Sequence, residues 1–284
     1  MTNNLRSEAI KRRLKENSAQ FWLHFVLIVG IFLALYPLLL TVIDSVKSLR
    51  DYQFNMWWPS LPIRFYNFGQ SFAKLKTYFL NTLLVAAVGI SGMLVISSLA
   101  AYAIGKIRFP GHNFCMWCVL ALMMLPGVMT LVPSSLIYRT LHLNDTYWAL
   151  IIPIWTNGCL QATFLLTTTY KAMPKEIFEA AEVDGAGELR QFLRIGLPLS
   201  APMMGTCAIM QLISIWNDYL WPMTIQSDTS LYTLPAGILF TYSNYQNVPE
   251  QYSAYVFSSL PLLFIFIFLN KYYIKGLMDS AVKM

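Results

Sequence analysis

Long stretches of this chain carry no charge. Asp, Glu, Lys and Arg are absent from Asn17–Ile43, Thr77–Gly105, Phe109–Tyr138, Thr146–Tyr170, Ile195–Asn217 and Gln251–Asn270. A helix needs ~20 apolar residues to cross a hydrocarbon core of about 30 Å, and each run is long enough. Alternation of polar and apolar positions is not sustained in any of them. A backbone in lipid must satisfy its own polar groups, so helices are expected and barrel strands are not. The pattern predicts an all-α integral membrane protein with six transmembrane helices, at 21–43, 78–104, 113–138, 147–170, 199–221 and 255–270. A further uncharged run, Thr229–Pro249, holds Thr, Ser, Asn and Gln throughout, with Pro235 and Pro249. It reads as part of an outer loop, 222–254, with some helix.

Between the spans lie a basic N-terminal tail (1–20), an outer segment (44–76), an inner loop (171–198) and a C-terminal tail (271–284). The core of the protein is 77–270. With the N-terminus inside, the inner segments hold Arg6, Lys11, Arg12, Arg13, Lys15, Lys106, Arg108, Lys171, Lys175, Arg190, Arg194, Lys271, Lys275 and Lys283. The outer side holds Lys47, Arg50, Arg64, Lys74, Lys76 and Arg139. The excess of Lys and Arg places both termini in the cytoplasm. Only the first outer segment runs against the trend.

Composition agrees. Of 284 residues, 56% are hydrophobic and 12% charged, and the mean hydropathy is +0.51; a soluble domain carries about 25% charged residues. The net charge of +6 is scattered over short loops, which speaks for topology and against nucleic-acid binding. The first apolar run is long and lacks a small-residue cleavage site, so it should remain as a span. Cys115, Cys118, Cys159 and Cys207 all fall in predicted helices, and His24, His112 and His142 lie at different depths or sides. No metal site is expected from them.

Span two is rich in small residues (Ala86, Ala87, Gly89, Gly92, Ala100, Ala101), which allow close helix approach in lipid. Span three carries Pro126, Gly127 and Pro133, marking either a kink beside a cavity or a packed bend. Trp57 and Trp58 in the outer segment read as interfacial anchors, with contact to a partner as the alternative. The two halves show no repeat, and few ionisable residues lie within spans, which weighs against an autonomous secondary transporter. A membrane enzyme would want a nucleophile–base pair or a metal cluster, and neither is visible.

The inner loop is the one dense patch of charge, with Glu176, Glu179, Glu182, Asp184, Glu188, Arg190 and Arg194. Pro174 suits a first helical turn. Ile177, Ala180, Ala181 and Asp184 recur at helical spacing, Gly185 and Gly187 permit a reversal, and a second short helix, Glu188–Ile195, leads to Pro198. The paired alanines and acidic charge suit a membrane surface poorly and a close-fitting protein partner well.

The stretch "EAAEVDGAGELRQFLRIGLP" resembles the cytoplasmic EAA loop of the membrane subunits of bacterial ABC importers. Glu179, Ala180, Ala181, Gly185, Ile195, Leu197 and Pro198 fill every fixed position of that pattern. "NTLLVA", "AAYAIGKIRFPG", "LNDTYWALI", "IWNDYLWP" and "YYIKGLMDSAVK" are similar to the maltose-type carbohydrate branch. The resemblance implies a type I ABC-importer permease fold in the bacterial cytoplasmic membrane. It implies three kinds of protein partner: a second, homologous permease subunit, an ATPase dimer and an extracytoplasmic solute-binding protein. The loop, with Asp184 among its contacts, would enter a cleft on the ATPase, and a tail with Lys275, Gly276 and Lys283 would reach between the ATPase subunits. Family members usually end in Gly after the Lys, where this chain ends in Met284. No cofactor is expected in this chain. It has no GxxxxGK[ST] phosphate loop, so ATP and Mg belong to the partner ATPase.

"WNDYLWP" gathers Trp216, Asn217, Asp218, Tyr219 and Trp221 near the outer end of span five, with Met210, Gln211 and Ser214 a turn or two away. Aromatic faces with amides and a carboxylate suit a sugar, and an intramembrane acid is a functional suspect. An aromatic belt with Asp218 at the water boundary is the alternative. The carbohydrate expectation follows from the resemblance, and a non-sugar solute remains open.

Overall fold

The computed structural model describes residues 2–107 and 109–281, with side chains described for 20, 22–107 and 109–267. The described residues are helical and turn-linked, with no strand. In order they form α1 (Thr2–Ser45), α2 (Leu49–Phe54), α3 (Tyr66–Lys106), α4 (His112–Met123), α5 (Gly127–Thr140), α6 (Trp148–Pro153), α7 (Cys159–Ala172), α8 (Lys175–Val183), α9 (Glu188–Gln191), α10 (Leu197–Asn217), α11 (Leu220–Ile225), α12 (Leu234–Tyr242) and α13 (Val248–Ala281). Single π-helical turns, Ile154–Gly158 and Phe192–Gly196, join α6 to α7 and α9 to α10.

Among the described residues four helical bodies are long and apolar enough to cross a membrane: Trp22–Ser45, Tyr66–Lys106, Trp148–Ala172 and Glu188–Asn217. The third expected span is not one rod. It breaks between α4 and α5 with a bend of 98°, because Pro126 has extended backbone (φ −64°, ψ 125°) and caps the second piece. The last expected span lies in α13, whose side chains from 268 onward fall outside the described ones. The expected second helix of the inner loop also differs. After α9 the chain passes through a π turn straight into α10, so 188–217 is one helical body.

The chain divides into two compact units, Met1–Ser71 with Gln246–Phe257, and Phe72–Tyr245 with Ser258–Met284. In the first, the outer segment folds on a buried charge. Lys47 is fully buried and its Nζ lies 2.7 Å from Asp44 Oδ1. The ammonium also donates to the carbonyls of Asn55 (2.8 Å) and Met56 (3.2 Å). Asn67 Nδ2 donates to the carbonyls of Ser45 and Lys47, and Ser71 Oγ donates to the Glu250 carbonyl at 2.9 Å.

In the second unit, small residues of α3 do what the sequence suggested. A Cβ at Gly89 or Gly92 would collide with Ile154 or Trp155, and Trp155 Nε1 donates to the Gly89 carbonyl at 3.1 Å. The core is Val85, Met93, Ala101 and Tyr102 of α3 against Leu150, Ile154, Leu166 and Tyr170, with Met203, Cys207 and Ile215 of α10. The run 229–249 forms a 3-10 turn and α12 and ends in the first residues of α13. Asn81 ties α3 to that loop, donating to the carbonyls of Ser230 and Tyr232 and accepting from Tyr147 Oη.

Candidate functional site: an inner loop and a polar cavity

The inner loop is rigid for local reasons. Pro174 caps α8 with extended backbone, and Glu176 sits in the first turn, where the helix dipole favours a carboxylate. The helix closes with a Schellman motif: Ala186 N–H bonds to Ala181 O and Gly185 N–H to Glu182 O, both at 2.9 Å. Gly185 holds φ +75°, which other residues resist. Gln191, buried, donates from Nε2 to the Ala186 carbonyl at 2.8 Å and holds the turn from below.

Within α8 one residue is buried, Phe178. Its ring meets Tyr102 of α3 (centroids 6.3 Å apart), and the Lys106 ammonium stands 4.3 Å from its centroid. Lys106 Nζ also donates to the Met173 carbonyl at 3.0 Å, just before α8. Tyr102 Oη donates to Glu188 Oε2 at 3.2 Å, and its ring packs on Tyr170 and Phe192. The loop is thus fastened to α3 as well as to the helices on either side of it.

Glu179, Ala180, Asp184, Gly185 and Pro198 are exposed and Ala181 is half-buried. Ile195 and Leu197 differ. They are half-buried and pack against the core, so they anchor the loop to α10. The exposed face also carries Val183 and Leu189, apolar side chains 89% and 67% exposed. Sequence reasoning missed the supports Tyr102, Lys106 and Phe178. Their only signal was an aromatic and a cation one helical turn apart at the end of a span. Lys275 and Gly276 lie on α13 where side chains are outside the described ones, and Lys283 lies outside the described residues.

The second feature is a cavity of about 690 Å³ in the second unit, walled by α5, α6, α7, α10 and α11. Gln211, Ser214, Asp218 and Trp221 line it, as do Ser134, Tyr138, Asn157 and Gln161. Trp221 Nε1 donates to Ala149 O at 2.8 Å, its N–H donates to Asp218 Oδ1 at 3.1 Å, and its ring meets Tyr138 edge-on at 5.3 Å. Met210, Trp216, Asn217 and Tyr219 are not in the wall. Trp216 is buried instead, donating to the Ser258 carbonyl at 2.9 Å with its ring edge-on to Phe79. Asn217 Nδ2 turns back to the Ile213 carbonyl. Asn157 and Gln161 were legible as amides one helical turn apart in an apolar span. The break at Pro126 is what lets α5 form a wall. Among the described residues no cluster of His, Cys, Asp or Glu could hold a metal ion.

Similarity to known proteins identifies the chain as a membrane permease of the binding-protein-dependent importers. Residues 93–278 match the family described as "Binding-protein-dependent transport system inner membrane component", and the chain belongs to that family. It is a transport subunit, not an enzyme. It is 31% identical over 272 residues to the sn-glycerol-3-phosphate transport system permease protein UgpE of Yersinia pestis, covering 90% of this chain and 95% of that one. It is 30% identical to the arabinooligosaccharides transport system permease protein AraQ of Halalkalibacterium halodurans, covering 89% and 92%. A solved bacterial ABC transporter involved in import of the acidic polysaccharide alginate shares the fold, with a TM-score of 0.78 at 22% identity, covering 89% of this chain and 96% of that one.

Proposed function

We propose that the chain is one permease subunit of an ATP-driven, binding-protein-dependent importer of an oligosaccharide or other sugar in the bacterial cytoplasmic membrane. It spans the bilayer six times with both termini inside, and pairs with a second permease subunit. The inner loop docks on a separate ATPase dimer. Glu179, Ala180, Ala181, Asp184 and Gly185 form the contact, Ile195, Leu197 and Pro198 pass the movement to α10, and the tail with Lys275, Gly276 and Lys283 adds a second contact. ATP and Mg are held by the partner. The solute pathway includes Gln211, Ser214, Asp218 and Trp221.

The observation that supports this most is the way the loop is built: an exposed acidic and alanine face on a helix locked from beneath by Phe178, Lys106 and Gln191. Shifting a pathway from 1:99 to 99:1 between inward- and outward-open takes about 5.5 kcal/mol of bias. A frayed loop would dissipate it, whereas a fastened one moves α3, α7 and α10 together. The arabinooligosaccharide relative favours sugar as cargo. A phosphorylated solute is the second reading, favoured by the relative named for sn-glycerol-3-phosphate.

Affinity purification from native membranes tests the assembly. An ATPase and a second permease should accompany the chain, and ATP hydrolysis by the reconstituted complex should rise with binding protein. A chain that moves solute alone would refute the reading.

A further inference from the structure

The polar cavity also carries information about cargo charge. Among the described residues that line it there is no Lys, Arg or His, and one acid, Asp218. The amides of Asn157, Gln161 and Gln211 and the hydroxyls of Ser134 and Ser214 make no hydrogen bond to another described residue. Each amide offers donors and an acceptor together, and each hydroxyl both roles. Trp221, fixed through its indole N–H and main-chain N–H, and Tyr138 add an aromatic corner. A cavity of about 690 Å³ is the size that holds a small-molecule ligand.

We infer that this cavity takes uncharged polyhydroxylated solutes and discriminates against phosphate esters and uronates. The inference rests on the importer reading and narrows its substrate class. A phosphate or carboxylate leaving water needs a matched cation, most often Arg, and an unpaired buried charge is costly. Here an anion would find amides and hydroxyls and, at the same wall, the Asp218 carboxylate. A sugar hydroxyl finds a donor or an acceptor at every amide, and its C–H faces rest against Trp221 and Tyr138. The relatives named for sn-glycerol-3-phosphate and for arabinooligosaccharides are similarly distant from this chain, so the cavity chemistry is what separates the two cargo classes.

The test reads the potential of the cavity without needing its cargo. Cys115, Cys118, Cys159 and Cys207 are replaced, Ser134→Cys is introduced, and the complex is purified with its partners. Rates of modification by cationic and anionic methanethiosulfonates are compared, each divided by its rate with a free thiol. The cationic reagent should win by about tenfold, and adding Asp218→Asn should bring the ratio close to one. Equal rates, an anionic preference, or a ratio untouched by Asp218→Asn would overturn the inference. Gln161→Cys serves as a second reporter if Ser134→Cys does not assemble. Failure of the importer reading would show separately, as a chain that purifies without an ATPase.

Discussion

The Lys106 ammonium stands over the Phe178 ring, 4.3 Å from its centroid, and so joins the inner end of α3 to the only buried residue of α8. This contact makes the loop 171–198 part of a three-way joint with α3 and α7. Removing the ring should cost more than removing the charge. A buried Phe→Ala change costs about 3–5 kcal/mol, whereas a cation–π contact contributes about 0.5–1 kcal/mol when partly exposed. Phe178→Ala should leave ATPase bound but weaken stimulation of hydrolysis by binding protein. Lys106→Met should retain most of it. ATPase assays on reconstituted complexes check both, and the reverse order would assign the joint to charge.

Gly185 has a conformational role without a steric one. An added Cβ would meet nothing within 4 Å, yet φ is +75°. Left-handed backbone costs a side-chain-bearing residue about 1–2 kcal/mol, more for a β-branched one. Gly185→Val should therefore open the Schellman turn, leave the chain in the membrane and lower transport per ATP hydrolysed several-fold. Gly187→Ala, at φ −67°, should have little effect on the same ratio.

The Lys47–Asp44 pair makes a prediction about stability. Breaking a buried pair by removing one partner costs about 3–5 kcal/mol, because the other charge is stranded. Lys47→Met or Asp44→Asn should lower the melting temperature and expose 44–71 to proteolysis. The double change Asp44→Leu with Lys47→Met should recover much of the loss. Equal losses in single and double variants would contradict this account of the outer segment.

Asp145 gives the outer loop an acid dependence. Its carboxylate accepts from the N–H groups of Asp228 (2.9 Å) and Ser227. These bonds, the one from Asp228 foremost, hold its pKa below the ordinary carboxylate value. A depressed folded pKa means the stabilisation is complete above the unfolded value of about 3.9 and is lost as pH falls through the folded one. Exchange of the Ser227 and Asp228 amides should accelerate, relative to the intrinsic rate, only below about pH 4. In Asp145→Asn, which tolerates the φ of 55° there, that acid dependence should vanish.

Much of this was legible in the sequence because the bilayer imposes strong rules. Uncharged runs located the apolar helices, and the positions from Glu179 to Pro198 stood out through their resemblance to the EAA loop. What escaped detection depends on tertiary contacts. Pro126 and Gly127 announced a disturbance but could not say whether span three would bend a little or break by 98°. Trp216 and Trp221 are alike in sequence context, yet one packs on Phe79 and the other faces the cavity. Ile195 and Leu197 match the motif but serve it from the core side, since a π turn carries the loop into α10 without a break. The supports Tyr102 and Lys106 lie some seventy to ninety residues from their partners (Phe178 and Glu188), beyond any local pattern.

The most direct test of the account concerns the exposed face of α8. Ala180→Cys in a cysteine-free background is exposed to a membrane-impermeant maleimide, in intact cells and in inverted vesicles, with and without the ATPase. Labelling is expected from the cytoplasmic side alone, suppressed when the ATPase is bound. Labelling from outside, or labelling that the ATPase does not alter, would contradict it.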